Sequence, residues 1–362
     1  MSLPQAEDPT AACKDCLRRS WLLSRLSAHL DRVGSRVDQA LALTDEELID
    51  AIAGRERRAI RAEWEGARTR TAHAGLHSVC HCHPRFPERL RELASAPRAL
   101  YIAGSAERFF ALADDDGVAI VGARRASAYG LEVARSLGRD LARAGVTVVS
   151  GMALGIDSAA HAGALETSES TIAVLPAGAE RAYPPAKRAL HRELAARASV
   201  ISELPPATST RRWMFQARNR IIAALANATV VVEGTERSGA LLTAGFAQLL
   251  HRPVGAVPGR VTAPSAAGPN GLLAAGATVI RNAQDVLDQL FGSGARETPR
   301  EQLPQLPPEL QEIWKAVSDG HDTTASLERV GFGAEEALAA LAALELVGLV
   351  KRSEGGRFIA TT

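Results

Sequence analysis

Residues 117–165 read GVAIVGARRASAYGLEVARSLGRDLARAGVTVVSGMALGIDSAAHAGAL, and this stretch decides the fold. An apolar strand ends in Gly122-Ala123-Arg124, a helix follows, and a second apolar strand ends in Ser150-Gly151. Each strand end meets a glycine-bearing turn and a helix start, the arrangement in which backbone N–H groups converge on an anion. A dinucleotide fold is the first thought, but the turn is G-A-R-R-A-S-A-Y-G. Arginines stand where G-x-G-x-x-G has glycines, and bulky cations obstruct close approach of a pyrophosphate. They suit a larger, discontinuous polyanion.

The same alternation continues to about residue 290. Strands are predicted over 118–121, 146–150, 171–175, 200–203, 229–233, 254–257 and 278–280. Helices are expected to begin near Gly130, Asp157, Ala186, Arg218, Ser238 and Asn282. Strands that are apolar throughout and separated by helices indicate a parallel sheet covered on both faces. The fold class is therefore α/β, a Rossmann-like core over 85–291. Residues 1–84 form a helical domain of SAM or helix-hairpin type, with Trp21, Leu22, Leu23, Leu26 and Leu30 at helical spacing and a helix start at Thr44-Asp45-Glu46-Glu47. The segment HPRFPERLRELASAPRALYIAG leads into the core as an extended stretch and a short helix. A linker rich in Pro, Gly and charge spans 292–307. Residues 308–362 read as a winged helix, with a hairpin turning at Gly355-Gly356.

The totals set limits. The 362 residues carry 42 basic and 41 acidic side chains, so any nucleic-acid site must be a local basic patch and not a general polycation. With 46% hydrophobic but only 4% aromatic residues, the cores are built from Ala, Val and Leu. No signal peptide is expected in MSLPQAEDPT, and no apolar run approaches a membrane span, so a cytoplasmic protein is expected.

Four stretches invite a chemical reading. Gly122, Arg124 and Ser127 offer a phosphate clamp at a strand end. In Ser150-Gly151 to His161, Asp157 and His161 share a helical face. They make either a base with its orienter or a helix cap beside a buried histidine, and the absence of a nucleophile nearby favours the structural role. In RRWMFQARNRIIA, residues 211–223, arginines interleave with aromatics, the composition of a single-strand binding surface. Ser238, Gly239 and Thr243 mark a further strand, glycine turn and helix N-terminus.

Taken in order, G-A-R-x-x-S, V-V-S-G-x-A-x-G-I-D-x-x-A-H, T-I-A-V-L, Y-P, I-S-E, F-x-x-R-N-R-I-I-A, V-V-E-x-x-x-x-S-G-A-L-x-T-A and A-V-P-G resemble the DNA-processing protein A (DprA/Smf) family. The resemblance covers roughly residues 85–290. It implies a single-stranded DNA binding homodimer, without catalytic activity, that protects incoming DNA and loads the recombinase RecA during natural transformation. Carried onto this chain, it makes Arg124 the phosphate clamp beside Gly122, Phe215 the ring that packs on a base, Arg212 a backbone cation, and Arg218, Asn219 and Arg220 the R-N-R positions. Lys187 stands where the family's Y-P-x-x-N has asparagine, and Gln216 where it has proline. The rival reading is a nucleotide-processing enzyme related to lysine-decarboxylase-like phosphoribohydrolases. Those carry P-G-G-x-G-T-x-x-E, whereas this chain has Glu233-Gly234-Thr235-Glu236. A third reading is an interaction hub centred on the C-terminal module. Its third helix carries Glu335, Glu336 and Glu345 and no cation, which argues against major-groove recognition.

No cofactor is required by this reading. Cys13 and Cys16 form a C-x-x-C pair, however, and with Cys80 and Cys82 they supply the ligands of a structural zinc site; unpaired thiols are the alternative.

Overall fold

A computed structural model describes residues 12–66, 75–298, 306–353 and 356–360. The opening residues read above for a signal, part of the linker, and Gly355 of the expected hairpin turn lie outside the described residues. The chain divides after Thr298 into two compact units. Among the described residues, no helix is long and apolar enough to cross a membrane.

The first unit is built, among the described residues, on nine strands: β1 (Leu76–Cys80), β2 (Ala99–Ala103), β3 (Gly117–Val121), β4 (Thr147–Ser150), β5 (Thr171–Val174), β6 (Ser199–Ser202), β7 (Ala228–Val231), β8 (Val254–Ala256) and β9 (Thr278–Val279). Their order in the sheet is β1-β2-β6-β5-β4-β3-β7-β8-β9. β3 to β9 pair parallel, as the sequence predicts. Both faces are buried because alternate side chains enter different cores: Val118 and Ile120 of β3 face one, Ala119 and Val121 the other.

Two corrections apply here. β2 pairs antiparallel with β6, and β1 antiparallel with β2, so the sheet is mostly and not wholly parallel. The break expected after residue 84 is also not a boundary between compact units. β1 lies before it yet belongs to the sheet, and the N-terminal helices pack on the core. Leu22, Leu23, Leu26, Leu30, Leu48, Ile49 and Ile60 share one apolar cluster with Trp213, Met214 and Ala217. The helix start read at Thr44 is present and is closed by a capping box: the Glu47 N–H donates to Thr44 Oγ1 at 3.3 Å and Glu47 Oε2 accepts the Thr44 N–H at 2.9 Å.

The second unit has helices Pro308–Ser318, Thr324–Arg329 and Ala334–Leu346, then a two-stranded antiparallel hairpin of Val350–Ser353 and Arg357–Ala360. Ile313, Leu327, Leu341, Leu344, Val350 and Phe358 form its own core.

The strand order positions the site. From β3 the chain moves outward through β4, β5 and β6 on one side, then returns to place β7, β8 and β9 on the other. The helices that follow β3 and β7 consequently diverge, and a crevice opens at the carboxyl ends of the central strands. Such switch points are where open α/β sheets bind ligands.

Candidate nucleic-acid interface

A cleft of about 710 Å³ lies at that switch point. Gly122 and Arg124 reach it from the end of β3, Ala153 and Asp157 from beyond β4, and Arg237, Ser238, Gly239 and Thr243 from beyond β7. A long helix, Arg212–Leu225, forms most of the remaining wall, with Asp31 and Gly34 beside it. It begins six residues before the predicted start at Arg218, so the arginine–aromatic run is not a loop leading to a helix but its first two turns. Helical spacing then sorts the run. Arg212, Phe215, Gln216, Asn219 and Ile222 line the cleft, while Met214 and Ala217 turn into the apolar core.

Four arginines face the cleft against two aspartates. Arg212 and Arg237 are exposed, as is Arg124, whose guanidinium Cζ stands 4.9 Å from the centroid of the Phe215 ring. Phe215 also meets Tyr183, with centroids 5.2 Å apart and planes at 57°. Arg124, Phe215 and Tyr183 also border a smaller pocket of about 160 Å³, together with Gly151 and Arg218. A cation, a ring and a second ring thus form a continuous edge at the mouth of the sheet.

The fourth arginine is held differently. Arg218 is buried, with Nη1 donating to the Val174 carbonyl at 3.2 Å and lying 3.8 Å from Asp157 Oδ2. Gly151 makes room for it: a Cβ there would lie 1.0 Å from Nη1. Burial lowers the Arg218 pKa and raises that of Asp157, and the attraction between the two opposes both shifts. Asp157 Oδ2 also accepts the N–H groups of Gly151 at 3.2 Å and Ala153 at 3.4 Å. It therefore ties down the loop before its helix and is not the helix cap, a position held by Gly155. His161 is wholly buried, with Nδ1 2.7 Å from Thr171 Oγ1, and burial together with Arg218 lowers its pKa to about 3. The Asp157–His161 pair is an internal support.

A family model described as DNA recombination-mediator protein A matches residues 77–291. The chain belongs to that family. A Mycobacterium tuberculosis (strain H37Rv) relative, provisionally named DNA processing protein DprA, is 35% identical over 355 residues, which is 94% of this chain and 85% of the relative. An X-ray structure of DNA processing protein A from Streptococcus pneumoniae superposes with a TM-score of 0.62 at 30% identity, covering 76% of this chain and 96% of that one. The Helicobacter pylori DNA processing protein A, whose structure describes a single-stranded DNA binding mode, gives 0.54 at 30% identity over 60% of this chain and 96% of that one.

Within this family frame, several expected contacts are placed elsewhere by the structure. Arg220 is fully buried, donating through Nη2 to both Glu203 carboxylate oxygens at 2.8 and 2.7 Å, and it does not face the cleft. Ser127 is engaged internally: its Oγ donates to Glu233 Oε1 at 2.6 Å and caps the helix Ala128–Arg143 by accepting the Gly130 N–H. Glu233 Oε2 accepts the Ser127 N–H at 2.9 Å. The anion at this helix start is thus the protein's own carboxylate, and Gly130 leaves space for it, since a Cβ there would lie 2.5 Å from Glu233 Cδ. Lys187 sits on the short turn Pro185–Lys187 and is not among the cleft-lining residues. Asn219 lines the cleft but donates to the Gly239 carbonyl at 3.2 Å, joining the two cleft helices.

The sequence reading overlooked Arg237 and Asp31. Arg237 precedes the helix-capping Ser238, a place where a cation augments a helix N-terminus, and that spacing was the available signal. Asp31 accepts the Trp213 N–H at 3.1 Å across 182 residues, a contact with no local signature. None of the four cysteines lines the cleft.

Proposed function

We propose that this cleft grips single-stranded DNA. Arg124, Arg212 and Arg237 neutralise successive phosphates, the N-terminus of the helix Gly239–Leu249 takes another, and Phe215 stacks on a base. The observation that carries the reading is the Arg124–Phe215 contact at the switch point. An incoming base displaces the guanidinium from the ring, and the guanidinium then follows the phosphate. An aromatic face accepts any base, so binding has little sequence preference. Duplex DNA keeps its bases stacked and offers none to Phe215.

The H. pylori relative's single-strand binding supports the same role here. The family description as a recombination mediator supports a role in handing the bound strand to a recombinase. On this reading the recombinase is of the RecA type, and the protein acts as a homodimer in natural transformation without catalysis of its own. Enzymatic turnover gains no support from Asp157 and His161: Asp157 is engaged with backbone N–H groups and Arg218, and His161 is wholly buried against Thr171 and does not line the cleft.

Electrophoretic mobility shifts with single- and double-stranded oligonucleotides of equal length test the proposal. Retention of the single strand alone at modest ionic strength is expected. Equal retention of duplex, or turnover of a nucleoside monophosphate, would remove it.

A further inference from the structure

Cys13 caps the helix Lys14–Arg25, Cys16 lies one turn on, Cys80 ends β1, and Cys82 follows in the next turn. The two pairs are more than sixty residues apart in sequence, yet all four Sγ atoms lie within 4.8 Å of one another. Cys16 Sγ and Cys82 Sγ are 3.8 Å apart. Four zinc–sulfur bonds of about 2.3 Å arranged tetrahedrally give edges of about 3.8 Å. We infer that Cys13, Cys16, Cys80 and Cys82 hold one zinc ion.

The surroundings fit that charge. Four thiolates around a divalent ion leave a net negative site, and the positive end of a twelve-residue helix points at it. The Cys13 N–H donates to Cys80 Sγ at 3.4 Å, the kind of outer contact that fixes a thiolate ligand. An iron–sulfur cluster needs its thiolates spread wider than this. Four protein ligands leave no open position for water, so the ion is structural.

Its task follows from what it joins. The helix Lys14–Arg25 continues into the layer whose Leu22, Leu23, Leu26 and Leu30 pack on Trp213 and Met214, and whose Asp31 holds the Trp213 N–H at the start of the cleft helix. The ion fastens that layer to β1 at the sheet edge, closing a long loop otherwise held to the core by apolar packing and a few polar contacts, among them Asp31 with the Trp213 N–H and Asp38 with Ser95.

Metal analysis of the full-length chain, purified under reduction and without chelator, tests the inference. One equivalent of zinc is expected, released when the thiols are titrated with a mercurial. Cobalt substitution should give the intense visible bands of a tetrahedral tetrathiolate ion. Cys13→Ser and Cys82→Ser alter exposed side chains and are expected to lose the zinc. Substoichiometric zinc with no tetrahedral cobalt spectrum, iron in its place, two disulfides in the reduced preparation, or undiminished zinc in both variants would overturn it. If a serine variant fails to fold, the zinc content and cobalt spectrum of the unaltered chain still decide.

Discussion

Arg218 and Arg220 stand two residues apart on one helix, and neighbours at that spacing point to nearly opposite sides. Arg218 therefore lies under the cleft while Arg220 enters the core against Glu203, with Asp38 Oδ1 3.9 Å from its Nε. Breaking such a buried pair by removing one partner leaves an uncompensated charge. Arg220→Met is expected to destabilise the chain by about 3–5 kcal/mol, measured by urea denaturation, while the folded fraction binds single strands with unchanged salt dependence. Arg124→Ala and Phe215→Ala should do the reverse, leaving stability intact. The first lowers the slope of log affinity against log salt by about 0.7, and the second costs roughly 1–3 kcal/mol of binding. A salt-dependent titration with an oligothymidine separates the two classes. If Arg220→Met alters the salt slope and Arg124→Ala does not, the assignment of the two arginines is reversed.

At the level of single elements, the helix Ile156–Leu165 props the floor of the cleft through Asp157 and His161, whose proton affinities are shifted chiefly by burial. His161 is neutral when folded, with a pKa of about 3 against about 6.5 in an exposed chain. Between those values the unfolded state takes up a proton that the folded state refuses, so stability falls as pH drops through the window. The slope is about 1.4 kcal/mol per pH unit, or roughly 2 kcal/mol lost between pH 6.5 and 5. His161→Gln removes that component, and its denaturation midpoint should fall less than the parent's over the same interval. Parallel pH profiles would show that His161 titrates alike in both states.

Elements also show which features a sequence reveals. The seven parallel strands were legible because apolar runs bounded by turns and helices leave few alternatives. β2 was not, because its five residues are buried on both faces and alternation cannot give its partner or direction. The arginine–aromatic run was recognisable as a binding surface, but its sorting required the true helix start at Arg212, and Arg212 follows no side-chain cap that would announce it. Ser127 looked like a phosphate ligand because its internal partner, Glu233, lies 106 residues away.

Over the whole molecule, the chain comprises two compact units whose chemistry differs. Every residue of the proposed strand-binding surface belongs to the first. In the second, the third helix presents Glu335, Glu336 and Glu345 and no cation, and the hairpin cations are partly committed. Arg357 pairs with Asp322 at 2.9 Å, and Arg352 stands 5.3 Å from the Phe358 ring centroid. A chain ending at Thr298 should therefore bind an oligothymidine with the affinity and the salt slope of the full chain. Counterion release makes this comparison sensitive, since each phosphate contact contributed by Lys351 or Arg352 adds about 0.7 to the slope. A shallower slope in the shortened chain would place part of the strand on the hairpin, and equal slopes would confine it to the cleft.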